Sequence, residues 1–188
     1  MSYRNKELIF KSDKIYYKDA NDSIEMEVMM DWEDDIMKRS ANYVCENGGD
    51  ILEIGFGMGI SANYIQANNI NSHTIIEIHP DVLNKAYKWA EGKPNINIVA
   101  GDWHKVKDSL SIYDGIFYDT FCDNNMDQFK SCLNNLVKKG SKVSWWNSIN
   151  SENNYYNIEN VSYETIKVNP PENNYFNYTT YYLPKKEF

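Results

Sequence analysis

Cysteine is scarce in this sequence, and basic charge is in deficit. The 188 residues contain three cysteines, Cys45, Cys122 and Cys132. An odd number at no metal-like spacing argues against a disulfide framework and a structural zinc site, so no bound metal is expected and a reducing, cytoplasmic compartment is. Lysine and arginine total 19 against 27 acids, a net charge of -8. That balance argues against a nucleic-acid partner and is compatible with a cationic substrate. No apolar run is long enough to span a bilayer, and Met1-Ser2-Tyr3-Arg4 leads into no signal-peptide core, so no membrane partner is expected. There is no internal repeat. The length suits one domain with a sizeable core. The abundance of Asn, Lys, Ile and Tyr reads as nucleotide bias in the source.

What is present is organised around Asp50-Ile51-Leu52-Glu53-Ile54-Gly55-Phe56-Gly57-Met58-Gly59-Ile60. The apolar run reads as a short buried strand. It breaks into a turn with glycine at every second position, and residues 60–66 start a helix. Such a corner lets backbone approach a ligand closely, although a strand-to-helix turn of this kind is also a common plain connection. Thr74-Ile75-Ile76-Glu77-Ile78 is a second strand ending in an acid. Glu77 lies roughly 20 residues past the turn, the spacing at which an acid reaches ribose hydroxyls in a doubly wound fold. Capping of the next helix is the competing reading.

Around that corner, residues 8–10 and 14–17 form a predicted hairpin. Residues 1–27 are an N-terminal arm, either a lid over a cofactor or a packed extension, and residues 28–188 form the main domain. Apolar spacing predicts a helix over 32–45 with acids in its first turn, where the helix dipole favours them. Val28-Met29-Met30 and Trp32 then form an apolar patch exposed ahead of that helix. Further helices are predicted at 80–90 and 125–137, and strands at 95–100, 113–120, 142–146, 160–168 and 175–183. Residues 147–157 read as a loop. Asp102-Trp103 and Asp119 follow strands at the ends where ligands bind in this class, so Asp102 and Trp103 are placed to meet a base; core packing is the alternative for Trp103. The aromatic stretch 175–182 is either packed strand or the edge of a homodimer.

Val28-Met29-Met30-Asp31-Trp32-Glu33, Leu52-Glu53-Ile54-Gly55-Phe56-Gly57-Met58, Ile75-Ile76-Glu77 and Gly115-Ile116-Phe117-Tyr118-Asp119-Thr120 together resemble the guanidinoacetate N-methyltransferases and their relatives, the fungal protein-arginine N5-methyltransferases. The resemblance implies an α/β, Rossmann-like class I methyltransferase sandwich. Its sheet would be mostly parallel and seven-stranded, with a C-terminal antiparallel hairpin, shortened before the sixth strand. It implies S-adenosylmethionine as cofactor, with S-adenosylhomocysteine as product. Met29, Glu53, Gly55, Phe56, Gly57, Met58, Gly59, Ile60, Glu77, Ile78, Asp102, Trp103 and Asp119 match the positions around that cofactor. Glu33 and Asp119 match the carboxylates that hold the guanidino group, with Asp119 as general base; Trp32 and Thr120 flank them on the substrate side.

The chemistry supports such a pair. A guanidinium has a pKa above about 12 and no free lone pair at neutral pH, so a carboxylate must accept a proton as nitrogen attacks the sulfonium methyl. The second carboxylate holds the fork of N–H donors in line. One departure touches the acceptor. Ser148-Ile149-Asn150-Ser151 stands where the guanidinoacetate enzymes have Leu-Thr-Ser-Trp, and the helix before the sixth strand is missing. The expected acceptor is a small guanidinoacetate-like molecule. A protein arginine, or a non-catalytic regulatory module of the same fold, are the alternatives.

Overall fold

The computed structural model describes residues 3–19, 21, 23–121, 126–152 and 157–188. Cys122, Asn125 and part of the predicted 147–157 loop lie outside the described residues. The chain begins with a small antiparallel sheet of β1 (Ile9–Phe10), β2 (Lys14–Lys18) and β3 (Glu25–Met30). The predicted hairpin is its first half. Val28, Met29 and Met30, expected as an exposed patch, instead belong to β3, with Met29 and Met30 buried. Their alternation with Glu25 and Glu27 lets the strand pair with β2. A single 3-10 turn, Asp31–Glu33, then leads into α1 (Asp34–Val44).

The main sheet follows: β4 (Asp50–Ile54), α2 (Ile60–Gln66), β5 (Ser72–Glu77), α3 (Pro80–Ala90), β6 (Ile96–Ala100), the short α4 (Trp103–Val106), β7 (Tyr113–Tyr118), α5 (Met126–Leu136), β8 (Val137–Trp145), β9 (Ser162–Lys167) and β10 (Thr180–Glu187). Its order is β6-β5-β4-β7-β8-β10-β9. The first five are parallel, and β10 runs antiparallel between β8 and β9. This is the expected seven-stranded sheet. Chain order reverses between β4 and β7, which opens a crevice at their carboxyl ends, where Gly55 and Asp119 lie.

Two-residue alternation sorts the strands onto two faces. Leu52, Ile54, Ile116, Tyr118, Val143 and Trp145 join one buried cluster with Phe129 and Leu133 of α5. Ile51 and Phe117 face the other way, into a cluster with Ile36, Met37, Ala41 and Val44 of α1. Glu53 and Asp119 share the parity of Ile51 and Phe117, so the same rule sends both acids to the α1 side.

Two strand starts differ most from expectation. β8 begins at Val137, five residues early, because a turn at Gly140 (φ 86°) interrupts the pairing with β7 while Ser141 Oγ, donating to the Tyr113 carbonyl at 2.7 Å, keeps the strand attached. The last strand begins at Thr180 rather than residue 175. The buried side chain of Asn173 captures the backbone first: its Oδ1 accepts from the amides of Tyr175 (3.0 Å) and Phe176 (2.7 Å). Such an Asx turn competes with ladder formation. Tyr175 and Phe176 therefore lie in an inward-folded loop and not on a sheet edge.

Candidate active site

At the end of β4 the glycine turn is forced into conformations other residues resist. Gly55, Gly57 and Gly59 have φ of 96°, 53° and 76°. A β-carbon on Gly55 would sit 1.9 Å from the Asp119 carbonyl oxygen, so this glycine is what lets the β4 and β7 ends meet. At Gly57 the space is taken by Met29, whose Sδ would lie 2.4 Å from an added β-carbon and accepts a hydrogen bond from the Met58 amide at 3.2 Å. The N-terminal sheet thus lies directly on the turn. Ile60 begins α2, behind Gly59. The Phe56 ring is buried against Trp89, which leaves only its backbone on the turn.

Glu77 ties this turn to the end of β5. Its Oε2 accepts from the Phe56 amide (3.0 Å) and its Oε1 from the amides of Ile78 and His79 (2.8 Å each). Burial pushes its pKa up, and the three backbone donors oppose that. Three other residues expected around a cofactor are held differently. Glu53 is fully enclosed: the Ser61 hydroxyl donates to its Oε1, and His73 Nε2 lies 2.9 Å from its Oε2, though poorly aligned for a hydrogen bond. Its side chain reaches no open space, because strand parity aims it at the helices. Trp103 is buried, with its ring edge-on to Tyr118 (5.6 Å) and Phe129 (5.8 Å). Asp102 caps α4, accepting from the His104 amide at 3.1 Å.

The two candidate catalytic acids come together across the crevice. Glu33 is held at the end of the 3-10 turn and is 3% exposed. Its Oε1 accepts from the Met30 amide (2.8 Å) and from the Tyr175 hydroxyl (2.6 Å). Trp32 Nε1 donates to the same hydroxyl at 3.1 Å. Asp119 is fixed by its backbone, whose amide donates to the Ile54 carbonyl at 2.9 Å, and Thr120 follows it, partly exposed. Burial, and then the charge of Asp119, push Glu33 up to about 8; the two hydrogen bonds pull it back. Burial, and then the charge of Glu53, push Asp119 up to about 7. Among the described residues no lysine or arginine pairs with either acid. Two carboxyls held near neutrality, without a cation, fit a cationic ligand that supplies what is missing.

Tyr175 is the residue that sequence reasoning missed. Its neighbours are rich in strand-favouring aromatics, and the signal that would have found it is the turn-forming Asn173 ahead of it. Beyond β8, Asn147 is buried and accepts from the Ile149 amide at 3.2 Å, while Ser148 and Asn150 are exposed. Among the described residues no group of His, Cys, Asp and Glu is arranged to hold a metal, and no helix is long and apolar enough to cross a membrane.

Comparison with known proteins supports the family and the fold. The model of the guanidinoacetate N-methyltransferase family matches residues 7–148. Protein arginine N-methyltransferase 2 of Yarrowia lipolytica is 32% identical over 85% of this chain and 40% of its own length. The Saccharomyces cerevisiae protein of that name is 31% identical over 99% of this chain and 52% of its own. The chain therefore spans about half the length, or less, of these relatives. Among solved structures, Escherichia coli yhhF superposes with a TM-score of 0.64 at 12% identity, covering 87% of this chain and 92% of that one, which supports the fold. The N-methyltransferase NodS of Bradyrhizobium japonicum gives 0.52 at 16% identity, over 61% of this chain and 67% of its own.

Proposed function

This chain belongs to the guanidinoacetate N-methyltransferase family, and on that premise we propose that it transfers a methyl group from S-adenosylmethionine to a guanidino nitrogen of a protein arginine. The observation that carries the reading is the pair of the buried Glu33 and the partly exposed Asp119 beside the glycine turn, with no lysine or arginine paired to either among the described residues. The curated relatives are named for protein arginine, which favours that acceptor over the small guanidino compound expected from sequence. The small acceptor now rests on the family description alone.

The turn fits the cofactor. Gly55 lets the ends of β4 and β7 approach closely, Gly57 lets Met29 lie on the turn, and Glu77 stands at the end of β5 where a ribose would lie. When bound, S-adenosylmethionine supplies an electrophilic methyl on a positive sulfur. Glu33 binds the guanidinium and aligns it. Asp119, with its basicity raised, accepts the proton that the attacking nitrogen must lose. The same elevation means that near pH 7 Glu33 is largely protonated and Asp119 about half protonated in the free protein, and the arriving cation displaces those protons.

The test is methyl transfer from labelled S-adenosylmethionine to an arginine-rich peptide, guanidinoacetate, free arginine and agmatine, with products read by mass. Label on the peptide in preference to the small guanidines supports the proposal. Label confined to a small guanidine moves the acceptor class and keeps the chemistry.

A further inference from the structure

The loop between β9 and β10 is built to deliver one hydroxyl. Beyond its hold on the amides of Tyr175 and Phe176, the Asn173 side chain donates to the carbonyls of Pro171 and Phe176, both at 2.8 Å. Asn174 Nδ2 donates to the Glu25 carbonyl at 2.6 Å and so fastens the loop to β3. Trp32 lies nearly parallel to Tyr175 (6.1 Å, 27°) and to the fully buried Phe176 (5.7 Å, 24°). The Tyr175 hydroxyl accepts from Trp32 and donates to Glu33 Oε1, the oxygen that also takes the Met30 amide. Among the described residues nothing donates to Oε2.

We propose that Tyr175 is a positioning residue that sets how Glu33 meets its substrate: by occupying Oε1 it leaves a single carboxylate oxygen to receive the guanidino group. A carboxylate with both oxygens free grips a guanidinium across two nitrogens in parallel. With one oxygen it takes one N–H and leaves the second edge of the fork for Asp119. The attacking nitrogen is then not tied down twice, and the group stays in line with its base. This inference rests on the guanidino reading of the Glu33 site.

The groups acting on Glu33 are Asp119 from the end of β7, Tyr175 from the loop and the Met30 amide from the end of β3. Asp119 disfavours the charged form of Glu33, and the two donors favour it. Tyr175 stays a donor throughout, since burial and then the charges of Glu33 and Asp119 push its pKa far above the ordinary phenol range.

Tyr175→Phe keeps the ring and removes the donor. The Glu33 carboxyl, followed by carbon NMR on the ligand-free chain, should then titrate at higher pH. The acid limb of kcat/KM for the arginine peptide should move up with it, by roughly one pH unit, the scale of one lost hydrogen bond to a charged group. Cofactor affinity should stay within about twofold. Trp32→Phe removes the donor to Tyr175 and leaves a smaller aromatic ring in its place; it should shift both readouts the same way by less, and it carries the test if Tyr175→Phe fails to fold. An unmoved Glu33 titration and an unmoved acid limb in a folded variant would overturn the proposal. A shifted titration without methyl transfer to any guanidino acceptor would uphold the positioning of Glu33 and overturn the substrate reading beneath it.

Discussion

Replacing Asp119 by asparagine should stabilise the protein while disabling it, and the two effects should part with pH. Asp119 is only partly exposed, and no hydrogen bond to its carboxylate is found among the described residues. An amide of the same shape therefore strands no partner. The folded protein gives up this proton near pH 7, against an ordinary value of 3.8. Between those values the folded chain binds more protons than the unfolded chain, so stability falls as pH rises. Below pH 4 both states are protonated and nothing is lost; above pH 7 the cost is complete. The difference is about 3 pH units, worth about 4 kcal/mol at 1.36 kcal/mol each. Solvent access and relaxation take up roughly half, leaving about 2 kcal/mol. For a domain of this size that is about 4 to 8 °C in Tm. Thermal unfolding of the ligand-free Asp119→Asn variant should thus show a Tm above that of the native chain at pH 8 and equal to it at pH 4. Turnover should fall at least a hundredfold, the lower range for loss of a general base. A variant no more stable at pH 8, or equally stabilised at both pH values, would refute the claim that Asp119 sits charged at a cost.

Three further outcomes follow from the same geometry. Gly55→Ala forces φ of 96° on alanine and drives its methyl to 1.9 Å from the Asp119 carbonyl; urea unfolding should show a loss of about 3 kcal/mol or more. Trp103→Ala should cost about 3–5 kcal/mol of stability, as for a core aromatic; full stability with cofactor affinity lost would return that ring to the binding site. Titration calorimetry of the arginine peptide, in buffers of different ionisation enthalpy, should show about one proton released near pH 7 and none by about pH 10, because the cation displaces protons that the raised carboxyls hold.

The sheet was readable in the sequence because its buried strands are continuous apolar runs and its ligand corner is punctuated by glycine. Glu33 and Asp119 enter as candidates through the resemblance, and each stands at the end of a short element, the 3-10 turn and β7. The resemblance matches Glu53 and Trp103 to positions around the cofactor, and what the sequence does not show is where their side chains point. Glu53 follows the parity of Ile51 toward α1 and α2, and Trp103 turns into the cluster around Phe129. Tyr175 was hidden for a different reason. The stretch from residue 175 onward is rich in the aromatic and β-branched residues that favour a strand, yet the Asn173 side chain takes the amides that a ladder would need. Its contact with Glu33 spans 142 residues of sequence, and no local pattern encodes it.

The account stands most directly on one comparison. The native chain, Glu33→Gln and Asp119→Asn are each saturated with labelled S-adenosylmethionine, cofactor binding is verified by calorimetry, and label transferred to an arginine-rich peptide is counted. The account predicts equal cofactor affinity in all three, transfer by the native chain, and at least a hundredfold less by either variant. Undiminished transfer by the variants, or none by the native chain with cofactor bound and every guanidino acceptor supplied, would contradict it.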